Sequence, residues 1–194
     1  MGVVLVHDIM GMDEVNRSIG AQLAENGFWV TLVDLFKGQL PSSMEEGFGL
    51  RSALTREEIL DALGKGRDLL TEKIGEGAQI GSMGFCMGGG IALLGACNLG
   101  LAFCVDYYGM IEDPEEVEGL AGPVMHILAS EDDRITPWAY ESFMPAMKAH
   151  KKRIDSYLYP NTYHGFHRTN APTYDEEAAK DAWEKTITFI SRFK

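Results

Sequence analysis

Short aliphatic and β-branched runs alternate with longer amphipathic segments from one end of this chain to the other. The runs predict strands at Val3 to His7, Trp29 to Asp34, Gln79 to Gly84, Ala102 to Tyr107, Val124 to Leu128 and Asp155 to Tyr159. Helices are predicted between them, at about Asp13 to Asn26, Thr55 to Lys73, Met87 to Cys97, Pro137 to His150 and Thr173 to Phe193. Thr55 with Glu57 and Glu58 is a helix-start signal, since the hydroxyl and a following carboxylate satisfy first-turn amides. Strands and helices in alternation are the pattern of a parallel sheet covered on both faces. No internal repeat or low-complexity linker interrupts it, and the 194 residues, 45% apolar, suffice for one buried core. One domain over residues 1–194 is expected.

The stretch from Phe36 to Leu54 breaks the pattern. Gly38, Pro41, Ser42, Ser43, Gly47 and Gly49 make it turn-rich, and it is read as a surface excursion near the mouth of a site. In open α/β sheets ligands bind beyond the carboxyl ends of the strands, so the polar residues at those ends matter most.

One strand end is unusual. Ile80-Gly81-Ser82-Met83-Gly84-Phe85-Cys86-Met87-Gly88-Gly89-Gly90 joins an apolar run to an apolar helical segment through Gly-x-Cys-x-Gly. A strained strand-to-helix corner presents its central residue at the top of a sheet, and the crowding two positions away on each side calls for glycine. Cys86 is thus the candidate nucleophile, with Gly84 and Gly88 as its neighbours. The helix that starts beneath it favours the thiolate, and the Met87 amide is placed to donate to an oxyanion. A buried cysteine serving only as a small hydrophobe is the competing reading.

Charge and cysteine content narrow the partners. A net charge of −12 argues against nucleic acid, which needs a basic face. No apolar run is long enough for a membrane span, and the amino terminus carries no basic leader, so a cytoplasmic protein without a membrane partner is expected. The three cysteines, Cys86, Cys97 and Cys104, lack metal-finger spacing and read as reduced thiols. The acidic run Glu112-Asp113-Pro114-Glu115-Glu116 reads as a solvated loop rather than a metal site.

The other strand ends complete a set. His7-Asp8-Ile9-Met10-Gly11 follows the first, Glu131-Asp132-Asp133-Arg134-Ile135-Thr136-Pro137 the fifth, and His164-Gly165-Phe166-His167-Arg168 the sixth. A cysteine hydrolase needs a thiolate, an imidazole that moves the proton, and a carboxylate that orients the imidazole. Nucleophile, acid and histidine come in that chain order, the order of α/β-hydrolases.

Gly84-Phe85-Cys86-Met87-Gly88-Gly89 and the Glu131 to Pro137 and His164 to Arg168 stretches resemble the three catalytic motifs of the dienelactone hydrolase family, and the likeness runs over nearly the whole chain, including Asp8-Ile9-Met10-Gly11, Val33-Asp34-Leu35-Phe36 and Tyr107-Tyr108-Gly109. The resemblance implies an α/β-hydrolase fold of about six mostly parallel strands, beginning at what would be the family's third strand. It implies a cysteine-dependent hydrolase of small esters or lactones, neutral or carboxylate-bearing, that needs no metal or organic cofactor and works as a monomer or small homo-oligomer. The matching positions are Cys86 as nucleophile, His164 as base and Asp133 as orienting acid, the last chosen because the family's acid lies four residues before a proline, here Pro137. The oxyanion amides fall on Met87 and Ile9. Asp8 stands where a family carboxylate holds the resting thiol, and Arg168 where a family arginine binds substrate carboxylate; Arg51 and Arg56 are loose candidates for a second such arginine.

Each site residue has a plainer reading. Asp8 can cap the following helix, Arg168 can be an ordinary surface arginine, and Asp132 reads as an exposed loop acid. His126, mid-strand, reads as a hydrogen-bonded core histidine, His150 as a solvated helix end, and Cys97 and Cys104 as packing. His7 and His167 flank the candidate site. Two rival functions follow from the cysteine: an amidotransferase-like fold, disfavoured because Phe166 stands where His-x-Glu would place its acid, and a redox-sensing thiol protein on a hydrolase shell.

Overall fold

The computed structural model describes residues 1–194. Six strands form one parallel sheet in the order β2-β1-β3-β4-β5-β6. They are β1 (Gly2–Val6), β2 (Trp29–Val33), β3 (Ile80–Phe85), β4 (Cys104–Tyr107), β5 (Val124–Ala129) and β6 (Ile154–Tyr159). The central strands β1, β3, β4 and β5 are buried along their whole length, as their unbroken apolar runs require.

Helices cover both faces. On one side α3 (Arg56–Ile74), α4 (Met87–Leu99) and α6 (Met144–Ala149) bury residues such as Ile59, Leu63, Ile91, Leu93 and Met147. On the other side α1 (Glu14–Glu25) and α7 (Glu176–Ser191) bury Ile19, Leu23, Phe189 and Ile190. The Thr55 signal is realised as a capping box: Thr55 Oγ1 accepts from the Glu58 amide and the Glu58 carboxylate from the Thr55 amide. The carboxylate of Asp175 accepts from the Ala178 amide, so α7 starts three residues later than the sequence pattern predicts.

The turn-rich excursion is where the prediction of irregular chain fails, because it contains α2 (Met44–Ser52). Ser43 caps that helix by accepting from the Glu46 amide. Its one buried residue is Gly47, and a side chain there would collide with the Ile9 carbonyl. The excursion is helical because it docks through that close backbone contact, which no hydrophobic period announces. The predicted helix from Pro137 begins earlier, as α5 (Ile135–Trp138), and continues through a π turn (Ala139–Phe143) into α6. The acidic run holds a short 3-10 helix (Pro114–Gly119) capped by Asp113.

Register aligns the functional edge. Val6 is opposite Gly84, Phe85 opposite Tyr107, Tyr107 opposite Ile127, and Ala129 opposite Tyr159. The residues just past β1, β3, β4, β5 and β6 therefore come to one rim, the rim expected for a parallel sheet.

Candidate active site

Cys86 occupies the corner between β3 and α4 with φ 55° and ψ −121°, a left-handed conformation that costs a side-chain-bearing residue on the order of 1–3 kcal/mol. Both flanking glycines are required by contact. A Cβ on Gly84 would strike the Gly88 carbonyl, and one on Gly88 would strike the carbonyls of Val6 and His7. The Cys86 amide is held by the Tyr107 carbonyl at 2.9 Å. The Met87 and Ile9 amides donate to nothing within the protein, and both residues line the cavity around Cys86.

His164 follows β6, and its Nδ1 lies 2.6 Å from an oxygen of Asp132. The expected partner was Asp133, which is exposed and touches neither ring nitrogen. Asp132 is buried, and its other oxygen accepts from the amides of Ile135 at 2.8 Å and Arg134 at 3.1 Å, so it also starts α5. The determinant is the apolar residue three positions on: Ile135 packs into the core and fixes which aspartate turns inward, whereas Pro137 lies two residues further along the same short helix.

The electrostatics follow from these contacts. Burial works to raise the Asp132 pKa, but the His164 ring and the Ile135 amide outweigh it and hold the carboxyl below its usual range. Burial likewise opposes charge on His164, yet Asp132 and the Cys86 sulfur raise it to about 10. Positive charge on the imidazole is therefore favoured next to the sulfur.

Asp8 and Arg168 meet each other. Arg168 Nη1 donates to Asp8 at 2.5 Å and Nη2 donates to Asp13. Burial lowers the arginine's pKa, and the two carboxylates more than reverse this. Asp8 also accepts from the Met10 amide and the Asn16 side-chain amide, and makes no hydrogen bond to Cys86. Neither proposed role, thiol holder or free carboxylate anchor, is how these groups are engaged. Nor does Asp8 cap a helix, because Asp13 caps α1. Asn16, buried at the hub of this network, was missed by sequence reasoning, although its place on the buried Asn16, Ile19, Gly20, Leu23 stripe is a visible signal.

The remaining histidines sit behind the rim. His7 donates from Nδ1 to the Asp8 carbonyl and accepts the Leu35 amide at Nε2, which fixes it neutral; burial lowers its pKa despite nearby acids. His167 packs on Phe85 and Tyr107, and burial lowers its pKa to about 4. His126 is not hydrogen-bonded, contrary to expectation: neither ring nitrogen has a partner, and Asp106 lies 3.5 Å away with one orphaned oxygen. Burial pushes Asp106 up to about 7 and His126 down to about 3.

Two spaces meet at Cys86. One of ≈ 330 Å³ runs past His164, Gly165 and Arg168, and one of ≈ 360 Å³ runs past Arg51, Met87, Arg134 and His164. Met44 and Phe48 of α2 overhang the second, and Tyr108 packs its ring 4.9 Å from that of His164. Arg51 and Arg134 form no ion pair, so they are the uncommitted side-chain cations of the cleft. No cluster of three or more metal-ligating side chains is present.

A parallel sheet carrying a strained nucleophile corner, with an acid and a histidine on later loops, defines the α/β-hydrolase fold. The sequence profile of the dienelactone hydrolase family matches residues 1–194, and the chain belongs to that family of ester and lactone hydrolases. It is similar to a protein of Saccharolobus solfataricus assigned as a carboxymethylenebutenolidase, 26% identical over 99% of this chain and 89% of the other. A Bradyrhizobium protein assigned as a 2-oxo-3-(5-oxofuran-2-ylidene)propanoate lactonase is 24% identical over 97% of this chain and 82% of its own. The crystal structure of a Klebsiella pneumoniae protein assigned as a dienelactone hydrolase superposes with a TM-score of 0.87 at 23% identity, covering 98% of this chain and 86% of that one.

Proposed function

We propose that the protein hydrolyses small esters or lactones through Cys86, His164 and Asp132. The observation that carries this reading is the bond of His164 to a buried, amide-anchored carboxylate on one side with Cys86 on the other. Cys86 Sγ attacks the carbonyl carbon, and the developing oxyanion is met by the Met87 and Ile9 amides, each worth about 3 kcal/mol. His164 gives its proton to the departing alkoxide, leaving a thioester. It then takes a proton from water, whose oxygen displaces the sulfur and releases the acid. A carboxylate-bearing substrate would find Arg51 or Arg134 free, with Arg168 already paired.

The thiol-sensor alternative lacks a resolving partner. Cys97 lies eleven residues along α4 from Cys86, roughly 16 Å. Cys104 pairs in register with Ser82, four strand residues before Cys86 and roughly 13 Å away.

The test is hydrolysis of a neutral aryl ester and a carboxylate-bearing enol lactone with intact mass recorded during turnover. Wild type is expected to turn over at least one substrate and carry an acyl adduct, and Cys86→Ala to do neither. Turnover by the alanine variant at the wild-type rate would refute the assignment.

A further inference from the structure

A third cavity, ≈ 290 Å³, lies on the α3/α4 face and contains none of the three groups just assigned. Its floor is Ile59, Ile91, Leu94 and Ile111, each less than a tenth exposed. Met87, Ile91 and Leu94 stand at i, i+4 and i+7 of α4, so one stripe of the helix leads from the residue after the nucleophile into the cavity. Arg51, Met87 and Met110 line both this cavity and the cleft at Cys86. The partition is thus built of unbranched side chains, which can swing aside at little cost. At the outer rim Arg56 is taken up by Glu116 at 2.5 and 2.8 Å and reaches Asn98, so a charged rim stands over the apolar floor.

The geometry also fixes which half of a substrate could enter. A departing alkoxide has to reach His164 to receive its proton. His164 lines both spaces that contain Cys86 and is absent from this one, so a group lodged here belongs to the acyl side of the scissile bond. We infer that the cavity is an acyl subsite for an unbranched apolar chain of several carbons, which passes between Met87 and Met110 while its carbonyl carbon is bound to Cys86. The inference rests on the hydrolase reading above and names the substrate class of that site.

The experiment compares p-nitrophenyl acetate with p-nitrophenyl hexanoate, which share a leaving group and differ only in the acyl chain. Wild type should favour the hexanoate in kcat/KM by at least about tenfold, since methylenes in an apolar pocket discriminate on that scale. Leu94→Trp, which fills the cavity from α4, and Ile59→Phe, which fills it from α3, should each lower the hexanoate-to-acetate ratio toward one. Two variants on separate helices guard against one failing to fold, and a thermal melt checks both. A wild-type ratio at or below one, or an unchanged ratio in a folded variant, overturns the subsite while the hydrolase reading stands. Absence of turnover on both esters removes the hydrolase reading, and the subsite with it.

Discussion

Asp132 and Asp133 are the same residue type one position apart, yet the turn after β5 sends the first inward and the second to solvent. The difference is made by two amides and one imidazole that only Asp132 meets. Asp132→Asn keeps the shape and loses the charge that fixes the imidazolium, so kcat should fall by about 10³–10⁴. Asp133→Asn should leave kcat within about twofold, because an exposed carboxylate without a partner contributes little. Steady-state rates of the two variants on one aryl ester decide between them. Cys86 and His164 could be picked out as candidates because each stands at a strand end in a distinctive motif. The acid was ambiguous because two carboxylates shared one motif and the deciding contact is made by Ile135 in the core.

At the scale of elements, the site is held by cross-links between loops. Arg168, from the loop carrying His164, joins Asp8 and Asp13 from the segment that carries Ile9, and Asn16 of α1 locks that segment from beneath. Arg168→Ala would leave two largely buried carboxylates without their cation. A loss of about 1–3 kcal/mol in stability is expected, together with a similar fall in kcat/KM on neutral and acidic esters. Denaturant unfolding and a two-substrate assay read these effects. Loss confined to acidic esters, with stability intact, would mean instead that the guanidinium serves substrate. The strands and long helices were readable from their periods of two and 3.6 residues. Helix α2 was not, since it is anchored by the bare Cα of Gly47 against the Ile9 carbonyl rather than by an apolar stripe.

For the whole molecule, buried imidazoles set the response to acid. His7 and His167 are kept neutral by burial, so their folded pKa values lie below the ordinary 6.5. The unfolded chain binds those protons below pH 6.5 and the folded chain does not, so stability falls as pH drops. The Asp106–His126 pair adds no slope between about pH 4 and 6.5. Folded, the pair holds one proton on Asp106; unfolded, it holds one on His126. His164, raised to about 10, is protonated in both states there and its contribution is lost only as pH rises toward that value. Unfolding free energy should therefore drop by up to about 1.4 kcal/mol per pH unit between pH 6 and 5 from His167, one proton at 1.36, with His7 acting in the same direction. Urea titrations at the two pH values measure it, and a slope near zero would mean that these imidazoles are solvated. No helix is long and apolar enough to cross a membrane.

By itself the sequence determined the alternation of strands and helices, the strained Gly84-Phe85-Cys86-Met87-Gly88 corner and the chain order of cysteine, aspartates and histidine at the strand ends, because these depend on local conformational preference, short-range periodicity and order along the chain. Only the tertiary structure decided which aspartate faces His164, that Arg168 is taken up by Asp8 and Asp13, that His126 is left without hydrogen bonds, and that a cavity with an apolar floor opens behind Met87. Those outcomes rest on contacts between segments far apart in the chain, where burial and close packing select one partner among several that the local sequence treats alike.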